Sequence, residues 1–358
     1  MPRRPCALAT ERSPPPTDPR FDSTNTRAIE GLVEADAHDF DDDVVEDDRL
    51  RLIFTCCHPA LSPDARIALT LREVCGLTTE EVARSFLTPA PTLAQRIVRA
   101  KAKIRDAGIP YEVPSRSDLP DRLDSVLHVI YLVFNEGYLA STGTSLTRED
   151  LSAEAIRLGR LLVELLPEPE AMGLLALMLL HEARRPARAS RAGELILLED
   201  QDRSLWDRAG IREGVDLVER ALTSRRIGPY SLQAAIAAVH AEARDAASTD
   251  WSQIVGLYDV LLRVEGSPVV ELNRAAAIAM RDGPEAGLRI IDAITARGEL
   301  EDYYLTHAAR GDLYKRLGRV SEAVNAYRRT LELVTLEAER RFVIRRLREL
   351  GATELPGS

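Results

Sequence analysis

Aromatic residues make up only 5% of the 358 residues, cysteines number four, and no apolar run is longer than Leu174–Leu180. Few aromatics disfavour a large β-sandwich or barrel. Four cysteines in a chain this long cannot form a disulfide framework. A seven-residue apolar run is far too short to span a bilayer, and the N-terminus has no apolar signal-peptide core. The expectation is a soluble, cytoplasmic protein with reduced thiols and no membrane partner. Positive charge is also short: 47 Lys and Arg stand against 57 Asp and Glu, for a net −10. Such a balance does not advertise a nucleic-acid binder unless basic residues are gathered locally. No G-x-G-x-x-G, phosphate-binding loop or G-x-S-x-G is present, so the sequence predicts neither an enzyme nor a bound cofactor.

What is present is helical. Hydrophobic residues are 45% of the chain, ample for two or so domains. Residues 1 to about 27 carry Pro14-Pro15-Pro16 and no apolar period, which predicts disorder. A short helical pattern follows at Ile29, Leu32 and Val33. Glu34–Asp48 then holds nine acids and no Lys or Arg. It reads as a solvated linker, or as a charge mimic of nucleic acid covering a basic surface of the same chain.

From Asp48 the pattern changes. Leu50, Ile53, Phe54 and Cys57 make one apolar helical face, which Pro59 stops. Ser62-Pro63 opens a second helix and Gly76 ends it. Thr78 or Thr79 caps a third, with Glu80 and Glu81 in its first turn and Val82, Ala83, Phe86 and Leu87 on its buried side. A fourth is expected from Ala90 to Asp106. Three prolines in residues 109–120 mark a linker. Beyond it, helical periodicity runs over 120–138, 146–166, 168–184, 189–201, 203–224, 229–246, 251–264, 268–281, 284–296, 300–317, 320–333 and 337–350. Turn signals such as Thr142-Gly143 separate these helices. Ile254, Ala286 and Ala323 are spaced like the small residues of tetratricopeptide (TPR) repeats, whose period is about 34. The expected fold is all-α: residues 1–47 disordered and acidic, 48–108 a four-helix, helix-turn-helix DNA-binding domain, 109–119 a linker, 120–350 a TPR-like repeat domain, and 351–358 a tail.

The fourth helix carries Arg96, Arg99, Lys101, Lys103 and Arg105, and no acid before Asp106. Each cation set against a phosphate releases counterions. The second helix of a helix-turn-helix enters the major groove with its N-terminal residues at base edges. Here those are Thr92, Gln95 and Arg96, with Gln suited to adenine and Arg to guanine. Arg99 and Lys103 follow on roughly the same face and suit phosphates. Leu93, Ile97, Ala100 and Ile104 form the opposite, apolar face. The plainer reading is an amphipathic helix with a solvated basic side.

Residues Ala65–Arg105 resemble region four of bacterial RNA polymerase sigma factors, in the sigma-70 family and its extracytoplasmic-function (sigma-24-like) class. The likeness rests on Leu71-Arg72, Gly76-Leu77, Thr79-Glu80-Glu81-Val82-Ala83, Thr92-Leu93, Arg96-Ile97 and Arg99-Ala100-Lys101. Arg49–Leu61 and several later runs resemble a subgroup with a C-terminal TPR-like extension. Among those runs are Phe134-Asn135-Glu136-Gly137-Tyr138, Ala183–Arg188, Gln201–Asp207 and Gly228-Pro229-Tyr230. The resemblance implies promoter DNA and RNA polymerase core as partners, contact with a −35 element, and an intramolecular or protein partner for the repeats. Region two of that class, which opens DNA, has no counterpart in residues 1–27. The competing expectation is therefore an interaction scaffold with a vestigial or masked helix-turn-helix.

Cys56-Cys57-His58 has no second ligand pair at zinc spacing, and adjacent helical side chains point about 100° apart. Buried small residues are expected there before a redox or metal role, and no metal site is expected. His128, His181, His240 and His307 read as packing residues. Arg184-Arg185-Pro186-Ala187-Arg188 with Arg191 is a second basic cluster, either solvated or touching nucleic acid or the acidic segment. Asp200, Asp202, Arg203 and Trp206 read as a polar network at a helix junction.

Overall fold

The computed structural model describes residues 45–86, 88–108, 114–139, 147–190 and 195–352. The expectations for residues 1–44, for Leu87, for 109–113 of the linker, for the Thr142-Gly143 turn and for Arg191 lie outside them. The described residues hold fifteen α-helices and no strand, as an all-α fold requires.

The first four helices are α1 (Asp48–Cys56), α2 (Pro63–Glu73), α3 (Thr79–Ser85) and α4 (Ala90–Asp106). Their starts follow from local chemistry. Asp47 accepts from Leu50 N at 2.9 Å and caps α1, and Pro63 takes the first position of α2, where its missing N–H costs nothing. Gly76 supplies the left-handed φ of +72° that turns the chain out of α2. Thr78 then caps α3 in a full capping box: its Oγ1 accepts from Glu81 N, and the Glu81 carboxylate accepts from Thr78 N at 2.7 Å. The core of this part is Leu50, Ile53, Phe54, Leu71, Leu77, Val82 and Leu93, all but sealed from water.

Eleven helices follow: α5 (Leu119–Tyr138), α6 (Glu149–Leu165), α7 (Pro169–Glu182), α8 (Arg208–Thr223), α9 (Pro229–Glu242), α10 (Trp251–Val264), α11 (Pro268–Asp282), α12 (Pro284–Ala296), α13 (Tyr304–Arg316), α14 (Val320–Leu333) and α15 (Glu337–Glu349). Helix α9 packs chiefly on α7, and from α10 on each helix packs chiefly on its neighbours in sequence, as stacked helix pairs do. The chain also returns on itself. Leu336 and Ala338, at the start of α15, pack with Leu139, Ala189 and Leu195. Helices α1 and α2 rest on α5. There Arg122 donates to Phe54 O at 2.9 Å and Arg66 to Ser125 Oγ at 3.3 Å. No helix of the described residues is long and apolar enough to cross a membrane.

Four expectations need correction. The described residues of 189–201 form no α-helix. Ala189 forms an antiparallel bridge with Leu195, and the chain continues into 3-10 turns at Leu198–Asp200 and Arg203–Leu205. Packing on α15, over a hundred residues away, overrides a modest local preference. Helix α8 begins at Arg208, not at residue 203, because Asp207 is its cap and its own N–H is taken by Ala183 O. Helix α13 begins at Tyr304, after Leu300 adopts a φ of +57°. Helix α9 ends at Glu242, where Asp245 and Ser248 close a turn.

Candidate nucleic-acid interface

Helices α3 and α4 form the two-helix elbow. Helix α4 buries Leu93, Ile97, Ala100 and Ile104, at steps of four, three and four, and packs on α2 and α3. At about 100° per residue, the strip opposite this seam is Pro91, Gln95, Val98 and Ala102. Gln95 is exposed, and Val98 is 65% exposed, more than any other large apolar side chain among the described residues. Thr92, Arg96, Arg99 and Lys103 run along one flank of the strip, and Lys101 and Arg105 along the other. A narrow strip between two cationic rails therefore faces solvent.

The rails are not equally free. Arg96 is half-buried, forms an ion pair with Asp64 of α2 at 3.0 Å and lies over the Phe86 ring at 5.7 Å. Lys101 pairs with Glu73 of α2 at 3.1 Å. The Lys103 ammonium donates to the Ala60 carbonyl, while its side chain stays exposed. Among the described residues Arg105 pairs only with its neighbour Asp106. Arg99 is exposed and has no hydrogen bond or ion pair to a described residue. Thr92 is likewise exposed, in the first turn. The residues singled out from the sequence thus share one helix and one side of it, but Arg96 must leave Asp64 to reach a base. Sequence reasoning missed Val98. Its place three residues after Gln95 and seven after Pro91 would have put it at the centre of the outer strip. The two α2 carboxylates were missed as well, because nothing local links residue 64 to residue 96.

The other candidates resolve differently. Cys57 is buried, Cys56 and Cys75 are half-buried, and burial raises the thiols to about 12, 11 and 12 respectively. Such thiols stay protonated and unreactive near neutrality. Among the described residues no group of three His, Cys, Asp or Glu side chains is arranged to hold a metal ion.

The second basic cluster turns inward. Arg188 is 7% exposed, lies 3.5 Å over the Tyr138 ring and donates to Tyr138 O at 2.6 Å. Arg185 pairs with Glu182 and Glu149. Of the expected junction network only the Arg203–Trp206 contact, at 4.6 Å, forms among the described residues; Asp202 accepts from Ser204 N instead, and Arg203 donates to His240 O and Ala243 O at the end of α9. Asp200 is exposed and stands outside that network. His128 is exposed on α5 rather than packed. Of the acid-rich segment, the described end is engaged: Asp47 pairs with Arg157 at 2.6 Å.

Comparison with known families agrees with this placement. Residues 51–104 match the family described as Sigma-70, region 4, and residues 122–222 match a family of unknown function, DUF6596. A protein of Rhizobium meliloti (strain 1021), itself described as uncharacterized, is 48% identical over 307 residues, spanning 86% of this chain and 72% of the relative. No solved structure matches. The match over α1–α4 falls on the helices that form the elbow, and the relative extends the likeness into the helices beyond it. The chain belongs to one family with the Rhizobium protein and carries, at residues 51–104, a domain of the Sigma-70, region 4 family.

Proposed function

We propose that this chain is a transcription-initiation protein of the extracytoplasmic-function sigma-factor type. Its α4 reads a −35-like promoter element, its region 4 domain engages RNA polymerase core, and the TPR-like helices of 120–350 regulate that engagement. The observation that carries the reading is the outer strip of α4, Gln95 and Val98, open to solvent between two rows of cations. In the major groove Gln95 pairs with an adenine and Val98 packs on a thymine methyl. Thr92 hydrogen-bonds at the N-terminal edge. Arg99 and Lys103 hold the phosphates of one strand, and Lys101 and Arg105 those of the other. Arg96 turns from Asp64 to a guanine or a phosphate.

The test is a titration of the full chain onto −35-like and scrambled duplexes at several salt concentrations. Preference for one family of duplexes is expected, with a steep fall of affinity as salt rises. Arg99→Ala should weaken binding to every duplex alike and lower the salt slope by about 1, whereas Gln95→Ala should cost about 1–3 kcal/mol at one base pair only. Equal affinity for all duplexes with a flat salt dependence would defeat the promoter reading.

A further inference from the structure

On its outside the helical domain matches arginine with carboxylate: Arg160 with Glu213, Arg226 with Glu168, Arg274 with Asp259, Arg297 with Glu271. On its inside Arg184, Arg188 and Arg203 hydrogen-bond only neutral acceptors among the described residues. Glu182 and Glu339 act on Arg188 through space and Asp245 on Arg203, whereas Arg184 has no carboxylate partner among the described residues. Arg184 Nη2 donates to Tyr138 Oη at 3.2 Å and meets His181 Nδ1 at 2.8 Å. A partly buried guanidinium without a counter-charge is unusual, because its lost hydration is repaid only in part by neutral acceptors.

Arg184 lines a cavity of about 500 Å³, open on one side, between α5, α7, α9, α10 and α11. His181 and His240 line the same end. Both rings are held neutral there, since burial and the neighbouring arginines push His240 down to about 4 and His181 in the same direction. A wall carboxylate, Glu265, acts instead on Tyr131 and Tyr230. Tyr131 lies seven residues before Tyr138 on α5, about 10 Å along the helix axis. The cavity therefore has a cationic end and an aromatic end, the latter walled by Tyr131, Phe134 and Tyr258. Half-buried Gln233 and exposed Asn273 also line it, with side-chain amides that have no partner among the described residues.

We propose that this cavity binds a small organic anion, a carboxylate or phosphate group on an aromatic body, with the acid on Arg184 between His181 and His240 and the body against Tyr131, Phe134 and Tyr258. Its size falls in the range of small-molecule sites, which pair mostly apolar walls with a few convergent polar groups. Leu198, in the 195–206 segment, lines this cavity and also one of about 550 Å³. Arg203 anchors that segment to the end of α9. The site lies in the helical domain and is read without DNA, so it stands or falls separately from the promoter reading.

The experiment is isothermal titration of the full chain with benzoate, phenyl phosphate, inorganic phosphate and the uncharged benzamide. One of the two aromatic acids should saturate a single site, with benzamide and inorganic phosphate weaker by on the order of tenfold or more. The tighter acid identifies the head group. Arg184→Met should weaken that acid by on the order of 10- to 100-fold and Arg184→Lys by less, as expected for a charged hydrogen bond. Because Arg184 also touches Tyr138, Gln233→Ala serves as a second variant that removes no bond of the fold, and it should weaken the acid by about threefold to tenfold. Benzamide binding as tightly as benzoate, undiminished acid binding in both variants, or no saturation by either acid up to about 10 mM would each overturn the proposal.

Discussion

One carboxylate, that of Glu81, joins the helix-turn-helix to the helical domain: Oε2 accepts from Thr78 N at 2.7 Å, and Oε1 accepts from Arg148 Nη1 at 3.2 Å. The first bond is local and starts α3. The second spans 67 residues of chain and fixes α3 beside the start of α6. Glu81→Ala removes both and should cost about 1–2 kcal/mol. Glu81→Gln keeps the cap and loses the ion pair. It should cost less than about 1 kcal/mol, because Arg148 is substantially exposed and water screens the pair. Urea unfolding of the two variants separates the roles; equal losses would mean that the cap contributes nothing.

Leu93 and Val98 sit on opposite sides of α4, fully buried and 65% exposed. Leu93→Ala should destabilise the chain by about 2–5 kcal/mol, through lost burial and the cavity left behind. Val98→Ala should change stability by less than about 0.5 kcal/mol. Under the promoter reading, Val98→Ala nevertheless weakens binding at a single thymine-bearing position. Thermal melting and duplex binding of the two variants measure the contrast.

His240 lies beside Arg184 and Arg203 and against Trp251, its ring centroid 5.2 Å from the indole. Burial first, and then the two guanidiniums, lower its imidazole from 6.5 to about 4. An unfolded chain takes up this proton near pH 6.5, and the folded chain only near 4. The neutral ring's contribution is therefore complete above the unfolded value and lost as pH falls toward the folded one, by on the order of 3 kcal/mol at most. In His240→Gln the melting temperature should fall less steeply than in the parent between those two pH values. Parallel curves would show that His240 is not held neutral.

Gly311 and Tyr327 are in close contact: a Cβ at Gly311 would come within 2.7 Å of the Tyr327 ring. Tyr327 is fully buried and donates to Asp312 Oδ1, so its ring has little room to shift. Gly311→Ala should cost about 1–3 kcal/mol by overpacking. Gly76→Ala meets no atom within 4 Å and strains only a φ of +72°, so it should cost about 1–2 kcal/mol. A second substitution, Tyr327→Leu, should recover part of the loss at Gly311 and none at Gly76, which chemical denaturation can read.

The helix-turn-helix was legible because its signals are short-range. Leu93, Ile97, Ala100 and Ile104 mark the buried side of α4, and Thr78 with Glu81 marks the start of α3. The exposed side of α4, which carries the candidate site, was legible to the same depth: Thr92, Gln95, Arg99 and Lys103 are exposed where periodicity puts them. Arg96 was the residue whose surroundings periodicity could not supply, because its partner Asp64 lies on another helix. The segment 189–201 misled for the same reason, since its conformation answers to Leu336 and Ala338.

Helix faces, caps and the concentration of charge on α4 were determined by the sequence alone, since each depends on residues within about four positions of one another. Tertiary structure alone decided that Arg188 and Arg184 turn inward while Arg99 stays free, that α1 and α2 rest on α5, and that five helices line a cavity. Those outcomes depend on which distant helices meet. Packing and the pairing of buried charge choose among partners that no local pattern distinguishes.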